Sequence, residues 1–235
     1  MHVRTIALAT TCGAALLAAA AAPAPPATAT TAQTPPRSAR ANAVGAAELL
    51  AKTRGCDRIS RGKYRKDAGA KATVPVCAAD GAVYWKADLD IACDGRKTTR
   101  CNRKTDPWFL PDTAFHQSDG KALDAGRLPY VVVPAPSKIW RYPDSDIRGG
   151  GVVAVVHGNR VRYGVVGDTG PAKIVGEASY AMAESLGIDP DPVSGGVSGG
   201  VTYIFFRGSR ATPIESRAAA TRLGERLARA FVAAE

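Results

Sequence analysis

Alternation of apolar and polar positions is strongest in the second half of the chain. Val152-Val153-Ala154-Val155-Val156 and Arg160-Val161-Arg162-Tyr163-Gly164-Val165-Val166 flank Gly158-Asn159, which predicts two strands joined by a two-residue turn. Period-two alternation puts Val161, Tyr163 and Val165 on one face. Arg162, Val166 and Asp168 share the other face, provided that the strand continues unbulged. Tyr130-Val131-Val132-Val133 between two prolines, Ala82–Trp85 and Val201–Phe206 read as further strands.

Three segments change to helical spacing. Ala46, Ala47, Leu49 and Leu50 follow a capping residue at Asn42 and stop before Gly55. Ala178, Ala181, Met182 and Leu186 run to Gly187, which places Glu177 in a first helical turn. Leu223, Leu227, Phe231 and Ala234 form a closing stripe behind a capping box at Thr212-Pro213-Ile214-Glu215. Arg217, Arg222, Arg226 and Arg229 lie on its solvated side. The expected class is α+β: an antiparallel sheet or small β-barrel with packed helices.

The start of the chain is of a different kind. Met1-His2-Val3-Arg4 precedes a small apolar run from Thr5 to Ala22, with Ala27-Thr28-Ala29 as an exit and Ala20 to Ala24 as rivals. This is the pattern of a secretory signal peptide. The run is rich in alanine and broken by Pro23, Pro25 and Pro26, which argues against a membrane span. We divide the chain into a signal peptide at 1–29, a linker rich in Pro, Ala and Thr at 30–42, and one catalytic-size domain at 43–235. Cys12 leaves with the leader. Cys56, Cys77, Cys93 and Cys101 remain, and an even count in an exported chain implies two disulfides. Three connectivities are open, and proximity favours Cys93 with Cys101 and Cys56 with Cys77. A zinc site is disfavoured because no C-x-x-C pair occurs and His116 and His157 stand alone.

The formal charge is +10, and removing Arg4, Arg37 and Arg40 leaves 28 basic against 21 acidic residues. Such a body suits an anionic neighbour, yet no nucleic-acid motif or basic stripe with interleaved aromatics is present. The acids are segregated: Asp80, Asp88, Asp90, Asp94, Asp106, Asp112 and Asp119 cluster in sequence. Asp88-x-Asp90-x-x-x-Asp94-Gly95 has a third acid two residues late for an EF-hand and no closing Glu, so it reads as a turn or as a substrate-lining segment. Gly196-Val197-Ser198-Gly199-Gly200 matches G-x-S-x-G, but a loop precedes it and a strand follows, the reverse of a nucleophile elbow.

The chemistry concentrates in Gly167-Asp168-Thr169-Gly170-Pro171-Ala172-Lys173-Ile174-Val175-Gly176-Glu177-Ala178-Ser179-Tyr180. One carboxylate ends a strand and a second begins a helix, across a turn rich in Gly and Pro. Two acids so placed can do paired acid and base work on a glycosidic bond. The plainer alternative is a solvated loop with two surface acids.

GVVGDTGPAKIVGEASYAMAESLGIDPDP followed by GGVTYIFF resembles the signature of glycoside hydrolase family 75, the fungal-type chitosanases. The resemblance extends to Asp88–Gly95, Asp106-Pro107-Trp108-Phe109, Leu123-Asp124-Ala125 and Leu128–Pro134. It implies Asp168 and Glu177 as the essential acids, an inverting mechanism and a double-psi-like barrel. It also implies Asp88, Asp90, Asp94, Asp106, Trp108 and Tyr163 as substrate contacts. No metal or organic cofactor is expected. The implied protein is a secreted, monomeric hydrolase of chitosan, with no nucleic-acid or membrane partner. Two other readings stay open: a non-catalytic polysaccharide- or cell-wall-binding protein, and hydrolysis of partly acetylated or peptidoglycan chains.

Overall fold

The computed structural model describes residues 43–234. The expected leader, the linker, Cys12 and the cap at Asn42 lie outside these described residues. Eight strands form one sheet: β1 (Asp57–Arg58), β2 (Cys77–Ala79), β3 (Ala82–Ala92), β4 (Tyr130–Pro134), β5 (Val152–His157), β6 (Arg160–Gly170), β7 (Glu177–Ser179) and β8 (Val197–Phe206). Their order is β1-β2-β3-β7-β4-β6-β5-β8, and β3 also pairs with β8, so six strands close into a barrel. The expected small barrel is present, but its pairing is mixed. β3 with β7 and β4 with β6 run parallel, and the other pairings are antiparallel. Parallel neighbours need long crossovers. Residues 135–159 supply one, and residues 93–176 supply the other.

Alternation sorts the strands into two apolar layers. Val83, Trp85, Ala87, Leu89, Val131, Val133, Val153, Val155, Val166, Ala178, Val201, Tyr203 and Phe205 fill the barrel. Trp85 lies between Phe205 at 4.2 Å and Tyr203 at 5.8 Å, with Trp140 edge-on at 6.0 Å, so Trp85 and Trp140 are packing residues. Tyr64 is fully buried in the same layer. The outer layer holds Tyr84, Tyr130, Val132, Val152, Ala154, Val156, Val165, Ile204 and Phe206.

Helices cover that outer layer. Helix α1 (Ala46–Ala51) starts at Gly45, not at Asn42, with the Gly45 N–H donating to Glu48 at 2.8 Å. Helix α3 (Arg217–Ala233) starts at Ser216, whose Oγ accepts from Ala219 N. Thr212–Glu215 is therefore not its capping box, and Glu215 instead accepts from Ser118. The buried stripe of α3 is Ala220, Gly224, Ala228 and Phe231, with Leu223 and Leu227 on its flank. Small residues there let the helix lie close to the sheet: a Cβ at Gly224 would meet Tyr163 Cδ1 at 2.4 Å.

Helix α2 (Tyr180–Leu186) starts at Ser179 and stops at Gly187. Glu177 precedes it, on β7. Ser179 is fully buried and joins three elements: its Oγ accepts from Met182 N at 3.2 Å and Tyr130 N at 3.0 Å, and donates to Leu128 O at 2.8 Å. The disulfides are Cys56–Cys77 and Cys93–Cys101, the pairing that proximity favours.

Candidate active site

The site is a row of side chains across neighbouring strands. Val132 on β4 pairs with Asp168 on β6, Val131 pairs with Ala178 on β7, and Asp90 on β3 pairs with Glu177. The outer face therefore reads Asp90, Glu177, Val132, Asp168. The two acids flank β4, so their backbones are two strand spacings apart, about 9.5 Å.

Asp168 reaches this face through a β-bulge. The β4–β6 register shifts between Val131/Val166 and Val132/Asp168, leaving Gly167 as an extra residue. Unbulged alternation would give Asp168 the parity of Val166, which is inside the barrel. Gly167 is required there because an added Cβ would lie 2.6 Å from Tyr130 Cβ and 2.8 Å from Leu123 Cδ1.

The two carboxyls have different surroundings. Asp168 is nearly buried, and its Oδ1 accepts from Ala114 N at 2.7 Å and Thr169 N at 2.8 Å. Burial raises its pKa and these two donors oppose the rise. Glu177 is half-buried, and no hydrogen bond reaches its carboxyl among the described residues. Burial, with the negative charges of Asp94, Asp168, Asp90 and Asp106, pushes it up to about 8. Because Glu177 is on a strand, the helix partial charge that would lower its pKa does not apply, and desolvation decides the direction.

Asp94, just beyond β3, is half-buried and accepts from Leu110 N at 2.6 Å; burial raises it to about 6, with Asp168 and Asp106 adding to the rise. Its neighbour Cys93 is tied to Cys101. The Tyr130 hydroxyl donates to Asp94 O at 2.9 Å from beneath the row. Asp106 is buried and accepts from Trp108 N at 2.9 Å, while the Trp108 ring is 74% exposed. These residues stand on an open face. Concavities of about 450 Å³, lined by Lys66, Tyr84 and Lys86, and about 710 Å³, lined by Ile139, Trp140 and Arg141, contain neither acid of the pair.

Three expectations need correction. Asp88 and Asp90 belong to a continuous strand and not to a turn. Asp88 is only 3% exposed and sits against Gly176, where a Cβ would fall 1.9 Å from its Oδ1, so it does not line the open face. Tyr163 does not join the acids. Five residues of strand, roughly 16 Å, separate it from Asp168. It lies under α3, where burial and the charge of Glu225 push its pKa up to about 12. Ser198 lies on strand β8, so the nucleophile-elbow match has no turn to support it.

Sequence reasoning did not find the loop that holds Asp168. Its contribution is a backbone N–H at Ala114, flanked by a 2.7 Å pair between His116 Nε2 and Asp112 Oδ1. A backbone donor carries no residue signature. Tyr130 read only as a strand residue, although a buried phenol needs a polar partner.

The chain is 35% identical over 141 residues to an endo-chitosanase of Aspergillus oryzae (strain ATCC 42149 / RIB 40), covering 55% of this chain and 58% of that one. It is 33% identical over 153 residues to endo-chitosanase B of the same strain, covering 59% and 60%. The chain thus spans about 58–60% of the length of these relatives. A Streptomyces papain inhibitor overlays at a TM-score of 0.33 and 21% identity, covering 53% of this chain and 94% of that one, a likeness too slight to inform the fold. The family model described as fungal chitosanase of glycosyl hydrolase group 75 matches residues 89–230, a span that contains Asp168, Glu177, the bulge at Gly167 and Asp94, and the chain belongs to that family.

Proposed function

We propose that the chain is a secreted, endo-acting glycoside hydrolase that cleaves β-1,4-linked glucosamine chains with inversion. The observation that carries this reading is the pair of outer-face carboxyls on strands flanking β4, one without hydrogen bonds and one held by two backbone donors. Inversion needs the carboxyls about 6.5–9.5 Å apart, so that a water fits between base and sugar. Two strand spacings are of that size.

The environments support a division of roles. Glu177, raised to about 8, carries a proton at neutral pH and delivers it to the glycosidic oxygen as the bond to the anomeric carbon breaks. Asp168 accepts two N–H bonds that favour its anion against the burial that raises its pKa, and it takes a proton from the water that attacks the opposite face of that carbon. Trp108 offers a flat exposed ring to the apolar face of a pyranose, and Asp94 and Asp106 supply negative charge for protonated amines. The overall charge of +10 does not oppose this, because the charges that raise Glu177 are all negative and local. Export agrees with two disulfides, and no helix among the described residues is long and apolar enough to cross a membrane.

The test is hydrolysis of defined glucosamine oligomers with anomer detection by NMR. Asp168→Asn and Glu177→Gln should each abolish release of reducing ends with the fold retained, and the parent chain should release the α-anomer first. Near-normal turnover by either variant rejects the assignment. Binding to insoluble chitosan without cleavage by the parent chain would make it a binding protein.

A further inference from the structure

At the β3 end of the row, Asp90 also belongs to a second group of carboxylates with a different partner. Asp88 and Asp90 meet Asp67, which comes from the loop after Arg65, and one oxygen from each lies within 4.8 Å of the others. Acid clusters on surfaces are common. Here the central member is not on the surface: Asp88 is 97% buried by its 3% exposure, and its Oδ1 has no hydrogen-bond partner. Gly176, at φ +116, leaves room for that carboxylate, and any side chain at 176 would displace it. A buried, unpartnered carboxylate beside two more carboxylates is an arrangement that a cation relieves.

We propose that Asp67, Asp88 and Asp90 form a binding site for a hard divalent cation of the calcium class. The donors are three hard carboxylate oxygens, within 4.8 Å of one another, from two separate segments of the chain. Calcium accepts such a flexible, irregular oxygen set, whereas magnesium demands a near-ideal octahedron and gives up its waters reluctantly. Asp67 and Asp90 are exposed, which leaves the outer side open to the waters that complete the shell. The nearby ammonium of Lys66 offsets Asp88 and Asp90 only in part, because it is one charge against three and donates to Ser198 O.

The position gives the ion a task. Arg65 is bonded in both directions to the segment before β7, with its N–H donating to Lys173 O at 2.9 Å and its carbonyl accepting from Val175 N at 3.0 Å. Asp90 N donates to Gly176 O at 2.7 Å. A cation here joins the Asp67 loop to β3 and braces the backbone that leads into Glu177. This site does not depend on the hydrolase reading.

The experiment is calorimetric titration of calcium chloride, and separately magnesium chloride, into the full chain stripped with a chelator. We expect one calcium per chain, at least tenfold tighter than magnesium. At a hundredfold excess over the dissociation constant, the thermal midpoint should rise by roughly 5–11 °C. Asp67→Asn, an exposed change that leaves the barrel intact by circular dichroism, should weaken calcium at least tenfold, and Asp88→Asn should abolish it. Absence of stoichiometric calcium binding overturns the proposal, as does binding unchanged by Asp67→Asn. If no metal binds and Asp67→Asn instead raises KM for glucosamine oligomers, the group serves the substrate's ammonium and the metal site is refuted.

Discussion

Replacing Gly167 with alanine tests how the barrel presents Asp168, the proposed base. The new methyl carbon would fall 2.6 Å from both Cβ and Cγ of Tyr130 and 2.8 Å from Leu123 Cδ1. Carbon atoms in contact sit about 3.5–4.0 Å apart, so the overlap is on the order of 1 Å. Tyr130 cannot retreat: it is fully buried, its N–H donates to Ser179 Oγ at 3.0 Å and its hydroxyl donates to Asp94 O at 2.9 Å. The β6 backbone must yield instead, and Asp168 is the next residue along it. Overpacking of this kind costs about 1–3 kcal/mol, or roughly 3–10 °C in a domain of this size. A shift of about 1 Å in a catalytic carboxyl costs about a hundredfold in turnover. Gly199→Ala is the control, because nothing lies within 4 Å of its added Cβ. Thermal unfolding followed by circular dichroism, with reducing-end release from glucosamine oligomers, reads both effects. A Gly167→Ala chain with the parent melting point and activity within threefold of the parent would refute the bulge as the device that aims Asp168.

Four further outcomes follow from the same geometry. Ser179→Ala strips a partner from Tyr130 N, Met182 N and Leu128 O and should cost about 3 kcal/mol in urea unfolding, with the slope unchanged. Folding lifts Glu177 from 4.5 to about 8, so the folded chain keeps a proton that the unfolded chain has lost across that interval. The associated stability is complete below about pH 4.5, falls as pH rises and is gone above about 8, so Glu177→Gln should flatten the decline in melting temperature over that range. The alkaline limb of activity should lie near pH 8, and Asp94→Asn should move it to lower pH by removing the foremost neighbouring charge that lifts Glu177; an unmoved limb would exclude Glu177 as the acid. Trp108→Ala, at a 74% exposed ring, should leave the melting point unchanged and raise KM roughly tenfold.

Strong local patterns were legible in the sequence. The β5–β6 hairpin follows from Gly158-Asn159 between two alternating runs, and β4 from an apolar run between prolines. What escaped depends on distant partners. β7 has only three residues, and Ala178 satisfies both the strand pattern and the helical spacing of Met182 and Leu186, so Glu177 read as helical. The bulge at Gly167 is set by Tyr130 and Leu123, far away in the chain. Asp88 read as a turn acid because alternation gives no sign that Gly176 will cover it. The acid pair was visible through the family resemblance, while the contrast between two N–H donors on one acid and none on the other needed coordinates.

The placement of β4 between the two acid-bearing strands has an evolutionary consequence. Side chains on adjacent strands lie roughly 5 Å apart, the gap of glycosidases that retain configuration through a covalent sugar–enzyme ester. Inserting one strand doubles that gap. Under the proposed mechanism, loop changes at the rim that alter which sugars are held leave the handedness of the product untouched, because the hydrogen-bond ladder acts as the measuring rod. Changing the stereochemical outcome on this scaffold would require moving a carboxyl onto β4 itself, at Val132.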